Sequence, residues 1–176
     1  MIALARHGET PYNAQRRFQG HLPVPLTALG REQAAELAAV AARREWAALW
    51  CSPLVRARET ADVVAAAIGL EPREDARFAE TETGDWTDRM FDEVQAAEPE
   101  AFAAWRSGDP DFRFPGGESF AEQLARVREG LEEVRRGPLP ALVVCHRGVI
   151  RLALADGRRD GALRTASVPN ATLVEL

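Results

Sequence analysis

Short apolar runs alternate with amphipathic segments along this chain, and that alternation constrains the fold more than any other feature. Ile2–Leu4, Ala47–Cys51 and Pro140–Cys145 are too short for helices, and each precedes a segment with helical signals. Strands that alternate with helices form parallel sheets covered by helices. The sequence therefore predicts a three-layer α/β fold, with a mostly parallel sheet and helices on both faces. A length of 176 residues suits a single domain over residues 1–176.

Capping residues and the spacing of apolar residues predict the helices that connect these strands. Thr27 is a suitable N-cap for a helix over Ala28–Arg44, which buries a stripe of five residues, Leu29, Ala34, Leu37, Val40 and Ala41. Ser52 as N-cap and Pro53 at the first helical position predict a helix to Ile68. A capping box at Ser119 predicts a helix that buries Phe120, Leu124, Val127, Leu131 and Val134. The remaining predictions are helices over Phe91–Ala97, Glu100–Arg106 and Val149–Ala155, a strand ending near Phe78–Ala79, and a last strand over Ala171–Leu176.

Composition excludes several classes of function. A net charge of -5 argues against general nucleic-acid binding, although a local arginine cluster still suits an anionic substrate. No apolar run is long enough to span a membrane, and Arg6 and His7 interrupt the N-terminus before a signal peptide could form. We therefore expect a cytoplasmic protein without membrane partners. Cys51 and Cys145 end apolar runs and are expected to be buried, reduced thiols.

Charged side chains follow the predicted strands at their carboxyl ends. Arg6 and His7 end the first strand, Arg56 lies one turn past the second, and His146 follows a later one. Ligands of open α/β sheets bind at this edge, so these four residues are expected to converge. A guanidinium clamps a phosphate through paired hydrogen bonds, and a neutral imidazole can attack phosphorus. Gly8 is expected to let the backbone approach the ligand.

An ordered set of motifs resembles the histidine phosphatase superfamily, also called the phosphoglycerate mutase-like family. The nucleophile motif is similar to Arg6–Thr10 with Asn13, and the second-histidine motif to Cys145–Arg151. The intervening segments that match in family order are Gln19–Gly20, Pro25–Ala34, Ser52–Ala61, Glu80 with Gly84 and Trp86, and Pro115–Ser119. The resemblance spans nearly the whole chain. It implies the phosphoglycerate mutase-like fold and hydrolysis of small phosphorylated metabolites without metal or cofactor.

The resemblance also implies roles for individual residues. His7 would become phosphohistidine, Arg6 and Arg56 would bind the phosphoryl group, and His146 would donate to its oxygens. Glu80 would protonate the leaving alcohol and then help to activate water. Asn13, Gln19, Gly20 and Arg147 complete the predicted substrate-binding set. Nearby arginines should keep His7 neutral, and a substrate dianion should raise the pKa of Glu80 enough to hold a proton.

Several positions leave the substrate open. Asp88 stands where the family often has glycine, Pro23–Val24 replaces a frequent acidic residue, and Arg147 replaces a small one. The Arg147 side chain either reaches the substrate or turns to solvent. Trp105, Phe112 and Phe114 either stack on a ring of a nucleotide or ribazole, or cover the core under a loop. Arg58 is expected to be a solvated helix charge and His21 a loop residue near the entrance. The sequence carries no signal for oligomeric state.

Two alternative mechanisms compete with a histidine phosphatase. Cys145–Arg151 also fits the cysteine loop of tyrosine phosphatases, in which a thiolate attacks phosphorus. Leu152 replaces the usual hydroxyl residue of that loop, and the loop leaves Arg6–Gly8 unexplained. The other alternative is a mutase, which returns the phosphoryl group to a sugar acid. Mutases of the family are usually longer and close their site with an insertion and a tail, so we expect a phosphatase.

Overall fold

A computed structural model of the protein describes residues 1–156 and 166–176. The strands within these ranges are β1 (Ile2–Arg6), β2 (Ala48–Cys51), β3 (Pro72–Glu74), β4 (Ala141–Cys145) and β5 (Leu173–Glu175). The helices are α1 (Pro11–Ala14), α2 (Ala28–Ala41), α3 (Val55–Ile68), α4 (Phe91–Ala97), α5 (Pro99–Ser107), α6 (Phe120–Arg136) and α7 (Arg147–Ala155). None of these helices combines the length and apolarity needed to cross a bilayer.

The strands form one sheet in the order β3-β2-β4-β1-β5. Every neighbouring pair is parallel except β1 with β5. β1 and β4 lie side by side in register, with Arg6 opposite Cys145, so both strands end at the same level. The prediction of a mostly parallel sheet is confirmed, and the β1–β4 pairing brings the residues after these strands together.

Helices cover both faces of the sheet because successive strand residues point to opposite sides. On one face, Leu4 and Val143 pack with Val127 of α6 and Ile150 of α7. On the other face, residues of the same strands pack against α2 and α3: Ala3, Ala5, Leu142 and Val144 with Leu37, Ala41, Ala61 and Val64. The core strands are therefore apolar throughout, and the three-layer prediction is confirmed.

A third cluster of apolar side chains lies beyond the carboxyl edge of the sheet, and we call it the aromatic cap. Its buried members are Phe18, Trp86, Val94, Phe102, Phe112 and Phe114, with Phe91, Trp105 and Phe120 partly buried against them. Ring centroids within it are 4.5 to 6.5 Å apart. Phe112 and Phe114 both cover this core, and Phe112 lines no cavity in the described part of the chain.

Two predicted stripes and one strand need correction. Leu29 and Val40 are 48% and 46% exposed, because α2 buries small residues instead. Ala38 packs toward the sheet, and Gly30 packs against the turn after β1. Phe120 and Leu124 of α6 are only partly buried, whereas Val127, Leu131 and Val134 are buried as predicted.

The predicted strand near Phe78–Ala79 is absent from the described chain, where β3 ends at Glu74. Asp75 accepts a hydrogen bond from the Arg77 amide, which turns residues 76–78 into a single turn of 3-10 helix.

The N-terminus of α3 also differs from its prediction. The helix begins at Val55 with Leu54 as N-cap, so Ser52 and Pro53 precede it. The Ser52 amide still donates to the carbonyl of Val144, which keeps this residue in the sheet's hydrogen-bond pattern. Arg56 nevertheless lies in the first turn of α3, as predicted. Smaller differences are that α2 ends at Ala41, α5 starts at Pro99, α7 starts at Arg147 and β5 spans Leu173–Glu175.

Candidate active site

Two histidines meet where β1 and β4 end. The His7 amide donates to the carbonyl of Cys145 at 3.1 Å, which continues the pairing of the two strands by one residue. The rings of His7 and His146 are 5.1 Å apart between centroids, and both are buried. Residues far apart in sequence are thus brought together by strand pairing, as the sequence predicted.

His7 is held in an orientation suited to nucleophilic attack. Its Nδ1 lies 2.6 Å from the carbonyl oxygen of Gly8, and because a carbonyl only accepts, Nδ1 carries the proton. Nε2 is then left with a free lone pair. Burial, together with the charges of Arg56 and Arg6, lowers the pKa of His7 well below its ordinary value, so the ring is neutral at neutral pH.

Two buried guanidinium groups flank the histidines. Arg6 donates from one terminal nitrogen to the carbonyl of Val168 at 2.7 Å, and Arg56 donates to the carbonyl of Gly20 at 2.9 Å. Burial lowers the pKa of Arg6 to about 9 and that of Arg56 to about 10, and both still carry their charge at neutral pH. Among the described residues no partner bonds to the buried Nε of either side chain. The neutral carbonyls orient both side chains without cancelling their charge.

Ser52 orients the second histidine. Its hydroxyl lies 2.8 Å from Nε2 of His146, and it also accepts from the amide of Leu54. The hydroxyl can donate its proton to Nε2, and in that tautomer of His146 the ring proton is on Nδ1. Nδ1 is buried and has no partner in the described part of the chain. Unpaired buried donors of this kind are expected where an anion binds.

Glu80 lies at the edge of the same pocket and accepts several hydrogen bonds. Oε1 accepts from the Thr81 amide at 3.0 Å and from Nε2 of Gln123 at 3.3 Å, and Oε2 accepts from the amide of Gly148 at 3.3 Å. Burial raises the pKa of Glu80, but these hydrogen bonds and the charges of Arg56 and Arg147 outweigh it, so the pKa lies below its usual value. The proton expected on Glu80 is therefore not present until another anion offsets the arginines.

Gly148 has a structural reason to be glycine. A Cβ at this position would lie 2.3 Å from Oε1 of Glu80, so any side chain would displace the carboxylate. Gly8 has a different reason from the one predicted. Its Cβ would lie 2.2 Å from the carbonyl oxygen of Gly30, so Gly8 allows close packing of α2 against the turn after β1 rather than close approach of a ligand.

A cavity of about 380 Å³ opens above these groups, and we call it the strand-end pocket. His7, Arg6, Arg56 and Glu80 line it, together with all four predicted substrate-binding residues, Asn13, Gln19, Gly20 and Arg147. His146 is fully buried beside His7 and is not among the residues that line this cavity. Arg147 turns toward the pocket rather than to solvent, with its guanidinium 6.0 Å from the centroid of the Trp105 ring.

Other residues that the sequence analysis singled out lie outside the proposed catalytic and substrate-binding residues. Arg58 pairs on the surface with Asp62 and Glu74, as expected of a solvated helix charge. His21 is a loop residue whose Nε2 lies 2.7 Å from the carbonyl oxygen of Glu80. Asp88 adopts a positive φ of 70°, which explains why glycine is common at this position in the family, and Tyr12 holds it with a hydrogen bond of 2.6 Å.

Several residues of the pocket were missed. Asn170 donates from Nδ2 to the carbonyl of His7 at 3.0 Å and to Oδ1 of Asn13 at 3.2 Å. The antiparallel direction of β5 would have indicated it, because the loop before such a strand reaches the carboxyl edge of its parallel neighbours. Arg16, Arg17 and Arg151 also line the pocket, and no spacing in the sequence distinguishes them from surface arginines.

Cys145 does not fit the alternative mechanism. Its side chain is fully buried at the end of β4 within the core cluster that contains Leu4 and Val143, and it does not line the strand-end pocket. Burial raises the pKa of the Cys145 thiol far above its ordinary value, so no thiolate forms at neutral pH. A cysteine nucleophile at this position is therefore contradicted by its surroundings.

An α/β sheet whose carboxyl edge presents two buried histidines and two buried arginines defines an enzyme that handles phosphoryl groups. Comparison with known proteins agrees. The model of the histidine phosphatase superfamily (branch 1) matches residues 2–176, and the chain belongs to that family.

Relatives and solved structures give the same result in more detail. The chain is 35% identical over 162 residues to glucosyl-3-phosphoglycerate phosphatase of Mycobacterium tuberculosis, covering 85% of this chain and 71% of the relative. It is 34% identical over 177 residues to phosphoglycerate mutase-like protein 4 of Arabidopsis thaliana, covering 98% and 76%. A structure of the mycobacterial glucosyl-3-phosphoglycerate phosphatase in complex with VO3 superposes with a TM-score of 0.90 at 31% identity, covering 98% of this chain and 90% of that one.

Proposed function

We propose that this protein hydrolyses phosphate monoesters of small metabolites through a phosphohistidine formed on His7. The observation that carries the proposal is the contact between His7 Nδ1 and the Gly8 carbonyl, which leaves Nε2 unprotonated on a residue that lines a pocket with several arginines. The buried arginines supply the positive charge that the reaction requires. The domain over residues 1–176 acts as one catalytic unit in this proposal, and its cytoplasmic location stays a prediction.

In the first step the Nε2 lone pair of His7 forms a bond to phosphorus as the bond to the alcohol oxygen breaks. Arg6 and Arg56, which line the pocket, bind the equatorial oxygens, where negative charge is spread in the transition state. The unpaired Nδ1 of His146, beside His7, is the third donor in this proposal. Because carbonyl groups orient both arginines before the substrate arrives, little reorganisation accompanies the reaction.

The departing alcohol needs a proton, and Glu80 supplies it in this proposal. The phosphate dianion offsets the charges of Arg56 and Arg147 that lower the pKa of Glu80, so substrate binding raises that pKa toward protonation. After transfer, the resulting carboxylate accepts a proton from a water molecule. The water oxygen attacks phosphorus, breaks the bond to Nε2 and releases inorganic phosphate.

A second candidate activity is return of the phosphoryl group to an alcohol, as in a mutase. It is favoured by similarity to a protein named phosphoglycerate mutase-like. The two activities differ only in the acceptor of the phosphohistidine, which is water in one case and a hydroxyl group in the other. Measuring released inorganic phosphate against isomerised ester, with 3-phosphoglycerate as substrate, separates them.

Trapping of the phosphoenzyme tests the proposed function. The protein is incubated with radiolabelled acetyl phosphate, quenched rapidly, and treated with acid or alkali. We expect label that is lost in acid, retained in alkali, absent from His7→Ala and retained in Cys145→Ser. Label that survives acid and disappears in Cys145→Ser would overturn the proposal, as would full labelling of His7→Ala.

A further inference from the structure

A second cavity of about 310 Å³ adjoins the strand-end pocket, and we call it the outer cavity. Arg16, Arg147 and Arg151 line both cavities, as do Phe91 and Trp105. Two further residues of α5, Phe102 and Arg106, line the outer cavity alone. The two cavities thus share walls, and one extended ligand can occupy both.

The outer cavity concentrates positive charge. Four of its lining residues are arginines, and no acidic side chain lines it in the described ranges 1–156 and 166–176. Asp92 pairs with Arg16 at 3.5 Å, with both side chains largely exposed to solvent. Arg106 and Arg147 form no salt bridge with any described residue. Most arginines outside this cavity in the described part of the chain pair with a carboxylate, and Arg106 and Arg147 differ from them in this respect.

The charges also act on one another. Burial and the charge of Arg147 lower the pKa of Arg151 to about 10. Arg151 is partly fixed through its Nε, which donates to the carbonyl of Ala166 at 2.8 Å. The indole of Trp105 supports Arg147 from one side. Like charges that are held close together in this way are stabilised when an anion binds between them.

The proposed proton donor lies near the wall that the two cavities share. Glu80, the proposed proton donor to the leaving alcohol, accepts a hydrogen bond from Gly148, the residue after Arg147. Glu80 and Gly148 both line the strand-end pocket, next to Arg147, which lines both cavities. A phosphate bound at His7 would therefore direct its alcohol past Glu80 toward Arg147 and the outer cavity.

We propose that the outer cavity binds a second anionic group, a carboxylate or phosphate, carried by the alcohol part of the substrate. This inference rests on the proposed function, because the phosphate to be cleaved occupies the strand-end pocket. The protein then selects phosphate monoesters with two separated anionic groups over those whose alcohol is neutral or cationic. Trp105 and Phe102 flank the apolar part that joins the two groups.

Paired esters of graded length test the proposal. ω-Carboxyalkyl phosphates with two to six carbons are compared with alkyl phosphates of equal length. Charge-assisted hydrogen bonds predict a kcat/KM higher by roughly 10- to 100-fold for the carboxylated ester at the length that spans the cavities, mainly through a lower KM. Arg106→Gln should reduce that ratio several-fold. Arg43→Gln, at an exposed arginine that lines neither cavity, should leave it unchanged.

Binding of the corresponding phosphonates, which cannot be hydrolysed, is measured by calorimetry so that the two proposals are tested separately. Tighter binding of the carboxylated phosphonate that depends on Arg106 supports the outer cavity even if no ester is turned over, in which case the proposed function alone fails. Turnover of both ester series with equal kcat/KM at every length would overturn the outer-cavity proposal and leave the proposed function intact. Equal binding of both phosphonate series would overturn it as well.

Discussion

The strand-end pocket and the aromatic cap adjoin, because Phe18, Phe91 and Trp105 belong to the cap and line the pocket, but different interactions stabilise them. The pocket is built from buried charges and rings that bond to backbone carbonyls and a hydroxyl at the ends of strands. The cap is built from ring contacts, with few polar groups. Burial of apolar rings stabilises the fold, whereas burial of charges without carboxylate partners costs stability. The cap therefore contributes stability and the pocket contributes chemistry, and substitutions should separate the two.

Removal of the central cap residue should have the largest effect. Trp86 is fully buried, packs against Phe114 with a centroid distance of 5.3 Å, and donates from Nε1 to Glu98. Trp86→Ala should lower the free energy of unfolding by about 3–5 kcal/mol, measured by urea denaturation. The kcat of the protein that remains folded should change only a few-fold.

A matched substitution at the border sharpens this prediction. Trp105 belongs to the cap but is only partly buried and lines both cavities. Trp105→Ala should cost less stability than Trp86→Ala and raise KM more. Equal losses of stability at the two positions would show that the cap is not centred on Trp86.

Removal of a pocket charge should give the opposite result. Arg56→Gln removes the cation and its hydrogen bond to the Gly20 carbonyl, so kcat/KM for an aryl phosphate should fall roughly 100- to 1,000-fold. Stability should change by less than about 1 kcal/mol, because a lost hydrogen bond is offset by relief of a buried charge. Arg58→Gln, on the same helix but in surface salt bridges, is the control and should retain activity. A large loss of stability in Arg56→Gln would contradict the division between cap and pocket.

The pH dependence of stability should report the two buried histidines. Both have pKa values lowered from the ordinary 6.5, first by burial and then by nearby arginines. Below pH 6.5 the unfolded chain therefore binds protons that the folded protein does not, so stability falls as pH falls toward the folded-state pKa values. The slope should reach about 1.4 kcal/mol per pH unit for each histidine.

Urea denaturation between pH 7 and 5 measures this slope. Carboxylates with lowered pKa values, such as Glu80, stabilise the folded protein until the pH falls below their ordinary value of 4.5. The pH range in which the histidines change stability therefore lies above the range in which these carboxylates do. His146→Gln should remove about half of the slope. A flat profile down to pH 5 would mean that neither ring is held neutral by burial.

The sequence predicted the pocket better than the cap for a physical reason. Residues that follow parallel strands must meet at one edge, so His7, His146 and Arg56 could be placed from strand order alone. The position of the cap depends on how short helices and loops fold onto each other, which periodicity does not determine. All three aromatic residues left open belong to the cap, but Phe114 and Trp105 also line the strand-end pocket, whereas Phe112 lines neither cavity.

Buried polar residues outside the motifs were not predicted because their role depends on tertiary partners. Ser52 was expected to cap α3, but in the structure it contacts His146. Asn170 supports the backbone of His7 from a loop that is distant in sequence. An apolar pattern finds the face of a helix that is buried, but it does not find a polar residue on that face whose partner lies on another element.

Gln123 is such a residue, and its substitution should have the smallest effect. It is fully buried on α6, accepts from the Thr81 hydroxyl at 2.5 Å and donates to Oε1 of Glu80 at 3.3 Å. It contacts the proposed proton donor rather than the substrate, so it is a positioning residue. Gln123→Leu should lower kcat for an alkyl phosphate roughly tenfold with little change in KM, because an alkoxide leaving group requires protonation.

The same variant should lose much less activity on para-nitrophenyl phosphate, whose leaving group departs without a proton. Gln95→Leu, at an exposed glutamine of α4, is the control and should leave both activities unchanged. A purely structural role for Gln123 would lower both activities equally, so the ratio of alkyl to aryl turnover distinguishes positioning of Glu80 from support of the fold. An unchanged ratio with lower stability would assign Gln123 to the same stabilising role as the cap, although it lies beside the pocket.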